Sequence, residues 1–123
     1  MEGSIKRETI LYVDDEEINL FLFQKRFERT LDVLTAESGE EALRKLKQNG
    51  SKIKAVITDM RMPGMTGLEF VGEAKKEFNE ISYYILTGYE ASPELEDAIS
   101  KKLIKNLFKK PFDFEQILNA ISE

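Results

Sequence analysis

The feature that most constrains this chain is the regular alternation of short apolar runs with longer amphipathic stretches. Five runs rich in β-branched and aromatic residues predict strands: 9–13, 31–36, 53–58, 81–86 and 104–108. A helix-like stretch follows each run. Because strands that alternate with helices favour a parallel sheet covered on both faces, we predict a flavodoxin-like, doubly wound (βα)5 fold in the α/β class. Its expected strand order is 2-1-3-4-5.

Local start signals place several of the helices. Ser38 with Glu41, and Thr66 with Glu69, fit the pattern of a capping box, in which each partner bonds the backbone of the other. Pro93 suits the first position of a helix, where its missing N–H costs nothing. These signals predict helices that begin directly after residues 38, 66 and 92.

The first and last helices are predicted from apolar spacing. The first is expected over residues 16–29, and the residues expected to face inward are Ile18, Leu22, Phe23 and Phe27. Leu20 and Phe21 lie on the same helix, and we expect them to add packing or to contact a partner protein. The last helix is expected to bury Phe114, Ile117, Leu118 and Ile121.

The composition limits the chemistry that is open to the chain. The 123 residues suit one domain over 1–123, with 1–8 as a loose N-terminal extension. A formal net charge of −5 disfavours a nucleic-acid surface. The absence of Cys and His removes thiolates and imidazoles, which leaves carboxylates, hydroxyls, lysines and backbone. No signal-like or membrane-spanning apolar run is found, so we expect a cytoplasmic location.

Polar side chains follow four of the predicted strands. Asp14 and Asp15 follow the first strand, Asp59 the third, Thr87 the fourth and Lys110 the fifth. The carboxyl ends of parallel strands meet at one edge of a doubly wound sheet, which is where ligands bind in such folds. We therefore expect three carboxylates, a hydroxyl and an ammonium group to gather there.

Three carboxylates that meet within a few ångströms need a counter-charge, because like charges raise one another's pKa. A hard divalent cation, Mg²⁺ or Mn²⁺, supplies that charge and accepts oxygen ligands from carboxylates and phosphate. A carboxylate can also act as a nucleophile toward phosphorus, and a lysine can balance the phosphate charge. The gathered residues therefore predict magnesium-dependent phosphoryl transfer to an aspartate.

Four segments resemble the receiver domains of bacterial response regulators. The match is collinear over nearly the whole chain, and its segments are Val13-Asp14-Asp15-Glu16, Asp59-Met60-Arg61-Met62-Pro63-Gly64-Met65-Thr66-Gly67, Leu86-Thr87-Gly88 and Lys110-Pro111-Phe112. The D-x-x-M-P-x-M-x-G run is fairly specific, and the four segments together at strand ends are very specific. The resemblance implies a CheY-like signalling switch of a two-component system.

The resemblance implies roles for the acidic residues. Asp59 is similar to the phospho-acceptor. Asp15 resembles the direct Mg²⁺ ligand, and Asp14 resembles the acidic neighbour that acts largely through water. Arg61 occupies the position whose backbone carbonyl usually binds the metal, so the implied metal site consists of Asp14, Asp15, Asp59 and Arg61.

The resemblance also implies a switch. Thr87 resembles the hydroxyl that moves to the phosphoryl group, and Lys110 directly precedes proline, as the family's lysine does, whereas Lys109 does not. The family's Lys–Pro peptide is often cis. The position three before that lysine is often aromatic in the family, but here it is Leu107, so the predicted switch of Thr87 and Leu107 has an aliphatic member. Phe108 is expected to point to the other face of the sheet.

The implied partners are a histidine kinase or histidine phosphotransfer protein as phosphoryl donor, an unknown output domain or protein, and a second copy in a homodimer formed on phosphorylation. No direct contact with nucleic acid or membrane is expected. Arg61 and Tyr89 flank the site, and we expect their bulk to shield an acyl phosphate from water.

Other functions stay open at this point. A phosphorylation-independent scaffold of receiver ancestry conflicts only with the complete acidic set. A magnesium-dependent aspartyl phosphatase is disfavoured, because its second aspartate, two residues after the nucleophile, is replaced by Arg61. A flavin carrier on the same fold is disfavoured by the acidic residues 14–17. We expect regulatory phosphoryl acceptance, with self-catalysed phosphorylation and dephosphorylation, rather than turnover of a substrate.

Overall fold

The structure, a computed structural model, describes residues 7–88 and 92–122 of the chain. Over these residues, five strands and five helices alternate along the sequence. The strands are β1 (Thr9–Val13), β2 (Asp32–Ala36), β3 (Ile53–Asp59), β4 (Ser82–Thr87) and β5 (Asn106–Lys109). The helices are α1 (Glu17–Phe27), α2 (Gly39–Asn49), α3 (Gly67–Glu77), α4 (Pro93–Ser100) and α5 (Phe114–Ser122).

The strands pair in the order β2-β1-β3-β4-β5, and every described pair is parallel. The predicted doubly wound fold and its strand order are therefore confirmed. The central strand β3 has seven residues, six of which are buried, and it ends at Asp59. A buried strand bonded on both sides fixes the backbone that carries this carboxylate to the edge of the sheet.

Two hydrophobic cores lie on opposite faces of the sheet. The α1/α5 core contains the inward residues of those two helices together with Ile10, Tyr12 and Phe108. The α2–α4 core contains the inward residues of α2, α3 and α4 together with Val56 and Ile85. Alternate residues of each strand feed the two cores, as the period of two in a strand requires.

The inward face of α1 differs from the prediction. Phe23 and Phe27 are buried as expected, but Leu20 is the third buried residue. Ile18 and Leu22, which were expected to face inward, are 60% and 51% exposed. The prediction failed because apolar residues occupy so many adjacent positions of α1 that their spacing fits more than one helix face.

The N-terminal caps of α2 and α3 differ in the hydrogen bond that the glutamate side chain accepts. The Thr66 hydroxyl accepts from the Glu69 N–H at 3.1 Å, and the Glu69 carboxylate accepts from the Thr66 N–H at 2.9 Å, which is the complete predicted box. The Ser38 hydroxyl accepts from the Glu41 N–H at 3.1 Å. The Glu41 carboxylate, however, accepts from the N–H one residue earlier than predicted, at position 37.

Arg7 ties the beginning of the described chain to the turn between α1 and β2. Its Nε donates to the Asp32 carboxylate at 2.8 Å. Its other nitrogens donate to the carbonyls of Glu28, Arg29 and Leu31. The predicted loose extension therefore has at least one anchored residue, and residues 1–6 lie outside the described part. Among the described helices, none combines the length and apolarity needed to cross a membrane.

Candidate functional site

The predicted site residues lie together at the carboxyl edge of the sheet. Asp14, Asp59 and Lys110 each lie two positions after a strand residue of the α1/α5 core. Because residues i and i+2 of a strand share a face, these three residues belong to the α1/α5 side of the sheet. Thr87 lies two positions after Ile85 and therefore belongs to the α2–α4 side. The charged groups and the hydroxyl thus approach the edge from opposite faces.

Asp14, Asp15 and Asp59 form a compact acidic cluster. One carboxylate oxygen from each lies within 4.8 Å of the other two. Asp14 is fully buried, Asp59 is 8% exposed, and Asp15 is half-buried. Three oxygens at this spacing match the hard donors that Mg²⁺ prefers, and the exposed part of Asp15 leaves the cluster in contact with solvent. The cluster therefore fits a magnesium ion.

Lys110 lies beside two of these carboxylates. Its Nζ is 3.2 Å from Asp59 Oδ2 and 3.7 Å from Asp14 Oδ2. The Lys110 side chain is partly buried, whereas the neighbouring Lys109 is exposed. The Lys110–Pro111 peptide is cis, as the family resemblance implied. The ammonium group faces the cluster across the sheet edge and compensates part of its charge.

The protein environment raises the pKa of the Asp59 carboxyl above its ordinary value. Burial is the main cause, because it removes water from the charged form. The positive charge of Lys110 opposes the shift, and the negative charge of Asp14 adds to it. The raised pKa means that ionised Asp59 is less well stabilised in the fold than in water, so a cation at the site would be favourable.

Both oxygens of Asp14 accept hydrogen bonds. Oδ1 accepts from the backbone N–H of Glu16 at 3.0 Å, and Oδ2 accepts from the hydroxyl of Tyr12 at 2.9 Å. From the sequence, Tyr12 is predicted only as part of the first strand. Its place two positions before Asp14 is a signal for this contact, since residues i and i+2 of a strand share a face.

Two hydrogen bonds stabilise the backbone where β3 ends. The Gly67 N–H donates to the Met60 carbonyl at 2.8 Å, and the Thr58 hydroxyl donates to the Asp59 carbonyl at 2.9 Å. A Cβ at Gly67 would lie only 2.3 Å from that carbonyl oxygen. Glycine is therefore required where α3 begins, because the helix starts against the end of β3.

Thr87 and Arg61 border a cavity next to the acidic cluster. Thr87 is buried at the end of β4, and its carbonyl accepts from the Lys110 N–H at 2.8 Å. The cavity has a volume of about 630 Å³, and Met60 and Leu95 also line it. The cavity leaves space beside Thr87 for its side chain to move. Tyr89, expected to flank the site, lies outside the described residues.

Leu107 and Phe108 point to opposite faces of β5, as predicted. Leu107 is half-buried and packs against the α2–α4 core. Phe108 is buried in the α1/α5 core and stacks on Tyr84, with ring centroids 5.0 Å apart. The residue that shares a face with Thr87 is therefore the aliphatic one.

The profile of the response regulator receiver domain matches residues 10–122. The chain belongs to this family. The match covers all five helices and every strand residue except Thr9, and the receiver domain's acidic cluster and lysine fall inside it.

Curated relatives agree with this assignment. The receiver domain is 35% identical to the chemotaxis protein CheY1 of Helicobacter pylori, over 84% of this chain and 85% of that protein. It is 33% identical to the transcriptional regulatory protein GlrR of Escherichia coli, over 93% of this chain but 25% of GlrR. It is 28% identical to the hydrogenase transcriptional regulatory protein HoxA of Cupriavidus necator, over 98% of this chain and 24% of HoxA. The chain thus spans about a quarter of the length of these two regulators.

Solved structures share the fold. A receiver domain protein from Clostridium thermocellum superposes with a TM-score of 0.83 at 34% identity, covering 94% of this chain and 91% of that one. The chemotaxis protein CheY4 of Vibrio cholerae superposes with a TM-score of 0.81 at 28% identity, covering 95% and 98%. Both neighbours match nearly the whole length of the described fold, so the likeness is not confined to one motif.

Proposed function

We propose that this receiver domain is a phospho-acceptor switch that takes a phosphoryl group onto Asp59 and thereby changes a partner-binding surface. The observation that carries the proposal is the position of the Asp59 carboxylate. It is nearly buried, 3.2 Å from the Lys110 ammonium and within 4.8 Å of two further carboxylates. A carboxylate with these neighbours is ready to act as a nucleophile toward phosphorus once the acidic charge is balanced.

The transfer is a displacement at phosphorus. An oxygen of Asp59 forms a bond to the phosphorus of a phosphohistidine on a histidine kinase or phosphotransfer protein. The P–N bond breaks, and its electron pair leaves with the imidazole nitrogen. Asp59 then carries an acyl phosphate, which water later hydrolyses to restore the carboxylate. Regulation, not substrate turnover, is the outcome.

Asp14, Asp15, Asp59 and the backbone carbonyl of Arg61 are the proposed holders of Mg²⁺. The ion, when bound, supplies positive charge to the oxygens of the transferring group. Lys110, whose Nζ is 3.2 Å from Asp59 Oδ2, would contribute a second positive charge. The 4.8 Å cluster and the burial that raises the pKa of Asp59 support the three carboxylate assignments. The assignment of the Arg61 carbonyl is carried over from the family.

Thr87 and Leu107 are the proposed switch. A phosphoryl group adds roughly −1.5 to −2 charges and strong acceptor oxygens at one point. The Thr87 hydroxyl can turn toward those oxygens because the adjoining cavity leaves room. Leu107 packs on the same side of the sheet and would repack with it, which changes the surface of β4, α4 and β5.

The exposed apolar face of α1 is the proposed docking surface for the phosphoryl donor. Ile18, Phe21 and Leu22 are each more than half exposed. A groove of about 350 Å³ runs from Leu22 to Lys110 and joins this face to the site. Large apolar side chains that lie together on one surface are typical of protein–protein contacts. Through the groove, this apolar face adjoins Lys110, which contacts the proposed phospho-acceptor Asp59.

Incubation with Mg²⁺ and acetyl phosphate, followed by intact mass spectrometry, tests the proposal. The wild-type chain should gain one phosphoryl group, and removal of Mg²⁺ with a chelator should abolish the gain. Asp59→Asn should gain none. Asp97→Asn is the matched control, because Asp97 is an exposed carboxylate on α4 paired only with Lys101 in the described contacts, and it should be phosphorylated like the wild type.

Two other results would point to the alternative functions. No gain of mass in the wild type, under conditions that phosphorylate another receiver domain, would support the phosphorylation-independent scaffold. Many turnovers of a phosphate ester, measured as released inorganic phosphate, would support an aspartyl phosphatase.

A further inference from the structure

Tyr12 makes a contact that the proposed phosphoryl chemistry does not itself require. It is 1% exposed in β1, and its hydroxyl donates to Asp14 Oδ2 at 2.9 Å. Its ring stacks on Phe23 of α1, with centroids 4.0 Å apart and planes 8° from parallel. A phenylalanine would stack equally well. The hydroxyl is therefore the part of Tyr12 that calls for an explanation.

The hydroxyl completes the support of a fully buried carboxylate. Asp14 is 0% exposed, and a buried ionised carboxylate is costly unless hydrogen-bond donors surround it. The Glu16 N–H holds one oxygen and the Tyr12 hydroxyl holds the other. Both contacts act within one short stretch of chain, so they fix the rotation of the carboxylate as well as its position.

The same hydroxyl affects the position of the Lys110 ammonium group between Asp14 and Asp59. Lys110 Nζ is 3.2 Å from Asp59 Oδ2 but 3.7 Å from Asp14 Oδ2, the oxygen that also accepts from Tyr12. Loss of the Tyr12 hydroxyl would leave the negative charge at that oxygen less well compensated and so strengthen its attraction for the ammonium. The bond from Tyr12 therefore favours contact of Lys110 with Asp59.

We propose that Tyr12 is a positioning residue of the metal site: its hydroxyl holds the Asp14 carboxylate in the orientation that binds Mg²⁺ and leaves Lys110 to Asp59. The inference rests on the proposed function, since it assigns Mg²⁺ to the acidic cluster. Groups that hold a ligand from outside the coordination shell commonly set metal affinity, and their loss costs roughly 10–100-fold. The aromatic ring links this support to α1.

Tyr83→Phe provides a matched control for Tyr12→Phe. Tyr83 is also 1% exposed, and its hydroxyl also donates over 2.9 Å, but to the backbone carbonyl of Phe78. Each variant loses the hydroxyl of one buried tyrosine and one hydrogen bond of equal length. Only the loss at Tyr12 touches a carboxylate of the acidic cluster, so a purely structural role predicts the same behaviour for both variants.

The experiment is titration of Mg²⁺ into the full chain, followed by isothermal calorimetry. Tyr12→Phe should raise the Kd for Mg²⁺ about tenfold, and Tyr83→Phe should leave it unchanged. Asp14→Asn and the double variant Tyr12→Phe/Asp14→Asn should have the same Kd, because Tyr12 acts through Asp14 and coupled residues are not additive.

Three results decide between the interpretations. Equal Mg²⁺ affinity of Tyr12→Phe and the wild type overturns the inference and leaves the proposed function intact. A wild-type chain that neither binds Mg²⁺ nor gains a phosphoryl group overturns both. Should Tyr12→Phe fail to fold, the test uses wild-type protein labelled with ¹³C at the tyrosine Cζ. The ¹³C chemical shift of Tyr12 should change as Mg²⁺ saturates the site, whereas that of Tyr83 should not. An unchanged chemical shift of Tyr12 overturns the inference.

Discussion

The two cores of this receiver domain differ in how they meet the site. In the α1/α5 core, aromatic rings contact one another from Tyr12 through Phe23 and Phe27 to Phe112 and Phe114. This series of rings begins at the tyrosine that holds Asp14 and includes the ring two residues after Lys110. Among the described residues, every ring–ring contact found belongs to this core.

On the α2–α4 side, the site borders a cavity. Thr87 and Leu107 belong to this side, and the cavity of about 630 Å³ lies next to Thr87. Leu107 is only half-buried, so it contributes fewer contacts than a core residue. On the α1/α5 side, the Asp14 carboxylate is therefore held by a tyrosine within close aromatic packing. On the α2–α4 side, Thr87, which is proposed to move, borders open space.

The largest expected effect is the loss of the central ring of the α1/α5 core. Phe23→Ala removes a buried ring whose centroid lies 4.0 Å from that of Tyr12 and 5.2 Å from that of Phe112. We expect the free energy of unfolding in urea to fall by about 3–5 kcal/mol. Leu107→Ala should cost less than about 2 kcal/mol, because Leu107 is only half-buried. Equal losses from the two variants would remove the contrast between the cores.

A smaller effect is expected where α3 begins against β3. Gly67→Ala places a methyl group 2.3 Å from the Asp59 carbonyl oxygen, and we expect about 1–3 kcal/mol of destabilisation as the backbone shifts. Gly72→Ala is the control within the same helix: nothing lies within 4 Å of its Cβ position, and alanine should stabilise the helix by about 0.5–1 kcal/mol. Thermal unfolding of both variants measures the difference; the same sign for both would contradict the close approach.

Removing the charge of Asp59 should stabilise the metal-free protein at neutral pH. The folded-state pKa of Asp59 is raised by burial above its unfolded value, so the ionised carboxylate lowers the free energy of unfolding above the folded pKa. That penalty shrinks as pH falls through the folded pKa and is absent below the unfolded pKa of about 3.9. Asp59→Asn should therefore be more stable at pH 7, by an amount on the order of 1 kcal/mol.

The pH dependence separates this cause from a packing effect. Urea unfolding in chelator should show the gain from Asp59→Asn at pH 7 and its disappearance on acidification. Asp97→Asn, on the exposed surface, should show no such gain. A gain of constant size down to about pH 3 would mean that burial of the Asp59 charge is not the reason, because both states protonate Asp below its unfolded pKa.

The smallest expected effect on stability is at the exposed face of α1. Phe21 is 54% exposed, so Phe21→Ala should change the free energy of unfolding by no more than about 0.5 kcal/mol. If α1 docks the phosphoryl donor, the same change should slow phosphotransfer from a phosphorylated histidine kinase about tenfold, as loss of a central interface residue does. Phosphorylation by acetyl phosphate should not change. Equal slowing with both donors would place the defect in the site rather than in docking.

The order of the elements and the residues that meet at the sheet edge follow from local sequence signals. Alternating apolar runs, the Thr66 cap and Pro93 are local signals, and a parallel sheet then brings Asp14, Asp59 and Lys110 to one edge whatever the detailed packing. For this reason, the fold and the collection of site residues can be predicted from the sequence.

Which apolar residues of α1 are buried, and which groups surround each charge, depend instead on long-range packing. Ile18, Leu20 and Leu22 are similarly apolar, but only Leu20 of the three is buried when α1 packs against the sheet. The bond from Tyr12 to Asp14 likewise depends on burial, since in water either group would bond solvent instead. Local signals determine where helices and strands lie along the chain. The surfaces against which an element packs determine which face of a helix is buried and which partner a buried polar group finds.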